Sequence, residues 1–204
     1  GQSSARHVRS APGPAVSEMT PFIEPLVDGH VWLRVAKASW TDPLDPTFAK
    51  DHGGRWNPPR SHATLYLNED LATARAQIPR MLEGYPATAE DLDDEFVLVG
   101  ATLPGRQVVA DAVSDQGLEA LGLPASYPAH TNGRPVRRAT CQPVGELVAA
   151  MGLRGIRARS AATRDGSGRE LAWFPARTTS RATPAGDAIP FHAWWYAESG
   201  IGSG

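Results

Sequence analysis

At 204 residues, with 41% hydrophobic and 21% charged side chains, the chain has room for one well-buried globular domain and little more. Its formal charge of −2 and pI near 6.3 exclude the overall basic field by which nucleic-acid binders attract their ligand. The single cysteine, Cys141, excludes an internal disulfide and a cysteine-based zinc site, and no apolar run reaches the ~20 residues of a membrane span.

Residues 1–20 are mostly Ser, Ala, Pro, Gly and Arg with little to bury, so they are expected to be disordered, with an ordered domain over 25–198 and a flexible tail at 199–204. The absence of a charged-then-apolar leader points to a cytoplasmic protein. The alternating run HVWLRV at 30–35 predicts the first strand. Four prolines and the adjacent Gly53 and Gly54 make 41–60 a long loop, of the kind that carries function. ATLYL at 63–67 predicts a buried strand, and Asn68 or Asp70 offers an N-cap to a helix over 70–83, whose stripe is Leu71, Ala74, Ile78 and Leu82. Pro79 falls late in that helix and should kink it.

EFVLVGATL at 95–103 is the strongest strand, and VVAD at 108–111 either pairs with it or forms the connection. A short helix over 115–123 and an irregular loop over 124–136 follow. QPVGELVAAMG predicts a helix over 142–152 closed by Gly152, then a strand GIRARS at 155–160 with ELAWFP at 170–175 as its antiparallel partner. FHAWWYA at 191–197 reads as a terminal aromatic strand. Helices and strands mix without regular βαβ alternation, so the fold class is α+β. The six histidines show no ligand spacing, and no metal is expected.

The segment HGGRWNPPRSHATLYLNEDLATARAQ, from His52 to Gln77, concentrates the chemistry. It joins a glycine-hinged loop carrying Arg55, Trp56 and Asn57 to Tyr66 on a strand and Gln77 on a helix. A guanidinium, an aromatic ring and an amide brought together in this way suit a ligand with phosphate and a planar base. Each also has a plain structural reading. Arg34 could close a salt bridge, Trp56 and Asn57 could lock the loop, Tyr66 could be core, Gln77 could be solvated and Ser160 could cap a strand end.

Arg34 at the end of the first strand, GGRWNPP at 53–59 with LYL at 65–67, and Ser160 after a helix and glycine turn together resemble the RES-domain toxins over roughly residues 30–197. The resemblance implies a single α+β domain like that of the ADP-ribosyltransferase toxins, with a mixed sheet and flanking helices. It implies NAD as substrate, cleaved at the nicotinamide-ribose bond, with ADP-ribose passed to water, phosphate or a protein acceptor, and an antitoxin protein as partner. Arg34, Gln77 and Ser160 would then be the catalytic set. Arg34, Gly54, Arg55, Asn57, Tyr66 and Ser160 would bind NAD, the two arginines gripping its pyrophosphate and Tyr66 meeting the nicotinamide end.

One residue departs from that pattern. Counting along the helix from Tyr66, Gln77 stands where the family carries a Glu. An amide keeps hydrogen bonds to ribose but has no charge to oppose an oxocarbenium ion. A charge pair at ~4 Å and an effective dielectric of ~20 is worth roughly 4 kcal/mol, or about three decades of rate. Three explanations stand: natural weakening, which would leave an NAD or ADP-ribose binding protein; an inactivating substitution; or a carboxylate from elsewhere, among Glu69, Asp70, Glu83 and Glu170. Glu69 and Asp70, at the helix start, are more simply explained by the helix dipole. An RNA-directed role for the arginines between 134 and 169 lacks both a global basic charge and interleaved aromatics.

Overall fold

The computed structural model describes residues 19–198; the segments 1–18 and 199–204, which hold most of the expected disordered start and the tail, lie outside the described residues. Eight strands follow in chain order: β1 (Ile23–Pro25), β2 (Trp32–Lys37), β3 (Leu65–Asn68), β4 (Phe96–Thr102), β5 (Val108–Ala112), β6 (Gly155–Arg159), β7 (Arg169–Trp173) and β8 (Thr183–Pro184). They form one sheet in the order β1-β5-β6-β7-β3-β2-β4-β8. Only β5 and β6 pair in parallel. The connection between those two strands carries two helices, α3 (Asp115–Ala120) and α4 (Arg138–Ala150), and is long enough for the crossover that a parallel pair requires.

Alternation along the strands divides the core into a helical and an opposite face. Along β2, Leu33 and Val35 meet Leu71, Ala74 and Ile78 of helix α2 (Leu71–Met81), together with Phe191 and Trp194 of α5 (Phe191–Trp195). Farther along the same face, Ile156, Ala158 and Ala172 pack under Cys141, Val144 and Val148 of α4. Trp32 and Ala36 turn the other way, joining Leu65, Leu67, Val99, Leu171 and Trp173 beneath Leu44 and Leu26. The two helical clusters leave a gap between α2 and the loops around α4, and the functional residues gather there.

The mixed sheet with flanking helices agrees with the α+β expectation, and the strands at 63–67, 95–103, 155–160 and 170–175 form within a few residues of their predicted bounds. Four readings are corrected. Residues 41–60 contain a helix, α1 (Thr47–His52), started by Pro46 and by Asp45, whose carboxylate accepts from the Thr47 N–H and hydroxyl. β5 does not pair with β4; it pairs with β1 and β6. The fourth helix begins at Arg138, ahead of Pro143, and not at Gln142. FHAWWYA is helical, because Pro190 sets the entry and Phe191 and Trp194, three apart, share one buried face.

Candidate functional site

The loop from Gly53 to Pro59 is a rigid unit. Gly53 ends α1 at φ +77°, and its N–H donates to Ala49 O at 2.8 Å, while the Gly54 N–H donates to Asn57 O at 2.8 Å. A side chain at Gly54 would collide with the Tyr66 ring. The Tyr66 hydroxyl donates to Asn57 Oδ1 at 2.7 Å and accepts the Trp56 N–H at 2.9 Å; Asn57 Nδ2 donates to Ala49 O at 2.6 Å. Trp56 is fully buried, tilted against Tyr127 with centroids 5.8 Å apart. Gln142 Nε2 donates to Gly54 O at 2.9 Å, and Gly145 lets α4 lie directly on the Trp56 carbonyl.

This scaffolding fixes Arg55. Its Nη1 donates to Val136 O at 3.0 Å and lies 3.8 Å from Cys141 Sγ. Burial opposes its charge, but Tyr127, Cys141 and Glu170 more than offset that, so it binds its proton more tightly than usual. Burial holds the Tyr66 hydroxyl well above the ordinary tyrosine range, which keeps it a donor.

A row of polar side chains crosses the helical face beside the loop. Glu170 on β7 pairs directly with Asn68 on β3. Ser160, just past β6, donates from Oγ to Glu170 Oε2 at 3.0 Å and accepts the Ala162 N–H at 3.2 Å. From the other side, Gln77 Nε2 donates to Asn68 Oδ1 at 3.0 Å, and Asn68 Nδ2 donates to Leu33 O at 3.1 Å. Burial raises the Glu170 pKa; Arg55, the Ser160 hydroxyl and Arg80 pull it down without cancelling that effect. Glu170 forms no ion pair among the described residues.

A cleft of about 930 Å³ opens here, with Arg55 in its wall between Ala76, Pro79, Arg80 and Glu83 of α2 and its C-terminal end, the loop from Pro128 to Pro135, and the loop from Ala161 to Arg164. Burial lowers the Arg80 pKa, and Arg55 and Arg138 add repulsion, so several cations feel one another. Such a site suits a polyanion, and two carboxylates lie within reach of the same cations, Glu83 in the cleft wall and the buried Glu170 behind it. Among the described residues no group of three or more His, Cys, Asp or Glu could hold a metal ion, and no helix is long and apolar enough to cross a membrane.

The sequence-predicted residues fall into three places. Gly54, Arg55, Asn57 and Tyr66 belong to the loop unit, but Asn57 and Tyr66 spend their hydrogen bonds inside it, so they position Arg55. Gln77 and Ser160 occupy the two ends of the polar row. Arg34 is a correction: alternation along β2 puts it on the face of Trp32 and Ala36, opposite Leu33 and Val35, and hence away from the cleft. Its guanidinium lies 5.5 Å from the Trp40 ring centroid, and burial brings its pKa down to about 10 against the pull of Asp42 and Asp45.

Of the candidate carboxylates, Glu69 is tied to Arg157 by two bonds of 2.7 and 2.8 Å, and Asp70 caps α2 by accepting the Thr73 N–H. Glu83 stands exposed in the cleft wall, and Glu170 is buried beside Ser160. Sequence reasoning missed Arg80 and the role of Asn68. Arg80 was legible as the residue one helical turn beyond Gln77, whereas Asn68 had the competing appearance of an N-cap.

No curated protein matches the sequence. In fold the protein is similar to a chain in the crystal structure of the M. tuberculosis MbcT-MbcA toxin-antitoxin complex, with a TM-score of 0.63 and 20% identity over 88% of this chain and 92% of that one. The profile of the RES domain matches residues 31–194, the span from the start of β2 into α5 that contains the whole cleft, and the chain belongs to the RES domain family.

Proposed function

We propose that this protein is a cytoplasmic toxin of a toxin-antitoxin pair that binds NAD in the cleft and breaks its nicotinamide-ribose bond. The observation that carries the reading is the rigid Arg55 facing a 930 Å³ cleft with Arg80 and Arg164, backed by the Ser160–Glu170 pair. Two linked phosphates need fixed, forked donors, and a guanidinium already held by Val136 O loses little freedom on binding. The ribose and nicotinamide would then extend toward the polar row, where hydroxyl, amide and carboxyl groups match ribose hydroxyls.

Cleavage requires stabilisation of positive charge on the ribose beyond that of bound NAD. ADP-ribose would pass to water, phosphate or a protein side chain, since the cleft is open on one side. Family membership and the fold shared with a chain of a toxin-antitoxin complex support an antitoxin partner. Gln77 supports a second reading, a pocket that holds NAD or ADP-ribose without turnover.

Calorimetry with NAD and chromatography of released nicotinamide test both. Binding with release supports the toxin reading, and binding without release, by this chain and by Gln77→Glu alike, supports the second. No binding overturns both.

A further inference from the structure

We propose that Glu170, and not the residue at position 77, supplies the carboxylate of this active site, with Ser160 and the Asn68–Gln77 amides holding it in place. The assignment rests on the NAD-cleaving reading above and names the group that would carry it out.

Three observations lead to Glu170. It is a buried carboxylate without an ion-pair partner among the described residues, an arrangement that folding alone disfavours and that clefts built for chemistry retain. It stands opposite Asn68 in the β3–β7 register, and Asn68 receives the Gln77 amide, so positions 77 and 170 converge on one spot from helix and sheet. It is joined through Ser160 to the N–H of Ala162, a residue of the cleft wall. The other candidates are occupied by Arg157 or by the α2 cap, or lie exposed in the cleft wall.

The chemistry balances with the groups present. The bond between ribose C1′ and the nicotinamide nitrogen breaks, and its electron pair goes to that nitrogen, neutralising the pyridinium. Positive charge appears on C1′ and the ring oxygen, where the Glu170 carboxylate opposes it. Water then forms the new C1′–O bond, and its proton passes to Glu170 and on to solvent. Burial, which raises the proton affinity of Glu170, suits it to that second step.

The test uses the full chain and four forms of it: wild type, Glu170→Gln, Gln77→Glu, and the double exchange Gln77→Glu with Glu170→Gln. Nicotinamide release and NAD affinity are measured for each. Glu170→Gln should lower kcat by about 100-fold or more while affinity changes by less than about threefold. Gln77→Glu alone should raise kcat by less than about tenfold, and the double exchange should recover at least about tenfold over Glu170→Gln, because the charge returns to the same spot from the helix. Wild-type kcat should also rise with pH through a midpoint above the ordinary glutamate value of 4.5, a limb missing in Glu170→Gln.

Unchanged turnover in Glu170→Gln, or a jump of a hundredfold in Gln77→Glu from an inactive but NAD-binding wild type, overturns the assignment and leaves the NAD reading standing. Failure of every form to bind NAD overturns the NAD reading and the assignment with it. Should Glu170→Gln not fold, the wild-type pH profile decides: the limb supports Glu170, and a flat profile overturns it.

Discussion

A buried carboxylate, Glu170, and a half-buried guanidinium, Arg34, sit on opposite faces of the sheet, and their energetics separate function from structure. Glu170 binds its proton more tightly in the folded chain than in the unfolded one. Below pH ~4 both states hold that proton and the residue imposes no penalty; as pH rises the unfolded chain ionises first, and stability falls until Glu170 itself ionises. Glu170→Gln should therefore be more stable than wild type to urea at pH 8, with the difference vanishing near pH 4. A stabilising exchange that also removes turnover is the mark of a residue kept for activity. Arg34 yields the contrasting prediction: Arg34→Met should leave NAD affinity within about twofold, whereas Arg55→Ala should weaken it by ~1–3 kcal/mol, both read by calorimetry. At this scale the Arg55 loop was legible because a local motif names it, whereas Ser160 was reached only through the resemblance that joins residues across the chain. The exclusion of Arg34 was also within reach, since Leu33 and Val35 bracket it in a period of two, but a motif reading that joined residues across the chain overrode the alternation.

Elements explain why the cleft is rigid. α4 presents Gly145 to the Trp56 carbonyl, and the loop in turn presents Gly54 to Tyr66, so two positions without side chains set the distances on either side of Arg55. Gly145→Ala should force α4 off the loop, cost at least ~1–3 kcal/mol of stability in urea denaturation and weaken NAD binding together with it, although Gly145 is no ligand. Tyr66→Phe should cost ~1–3 kcal/mol, since the Trp56 N–H and Asn57 Oδ1 lose their partner together. Helix α2 and the β6–β7 hairpin were legible because a cap residue and a glycine-rich turn bound them. The C-terminal segment was not: a short aromatic run has β propensity, and only the packing of Phe191 and Trp194 against β2 and α2 makes it a helix.

The molecule as a whole places its cleft between two independently packed halves of the helical face, one under α2 and α5 and the other under α3 and α4. This arrangement was beyond the sequence, because it depends on β5 leaving β4 to pair with β1 and β6, and pairing over such distances has no local signal. It also carries a consequence for stability. A ligand held by Arg80 and Gln77 from one half and by Arg55 and Ser160 from the other ties them together, and binds only when both are folded. At a free NAD concentration about 100 times Kd, such linkage adds about 2.7 kcal/mol. For a domain of this size that is roughly 5–10 °C in the thermal midpoint. The shift should rise with the logarithm of NAD concentration, shrink sharply in Arg55→Ala and persist in Glu170→Gln, whose pocket keeps its shape. Thermal unfolding monitored against NAD concentration reads all three, and a midpoint that NAD leaves in place would mean that the folded chain does not bind NAD.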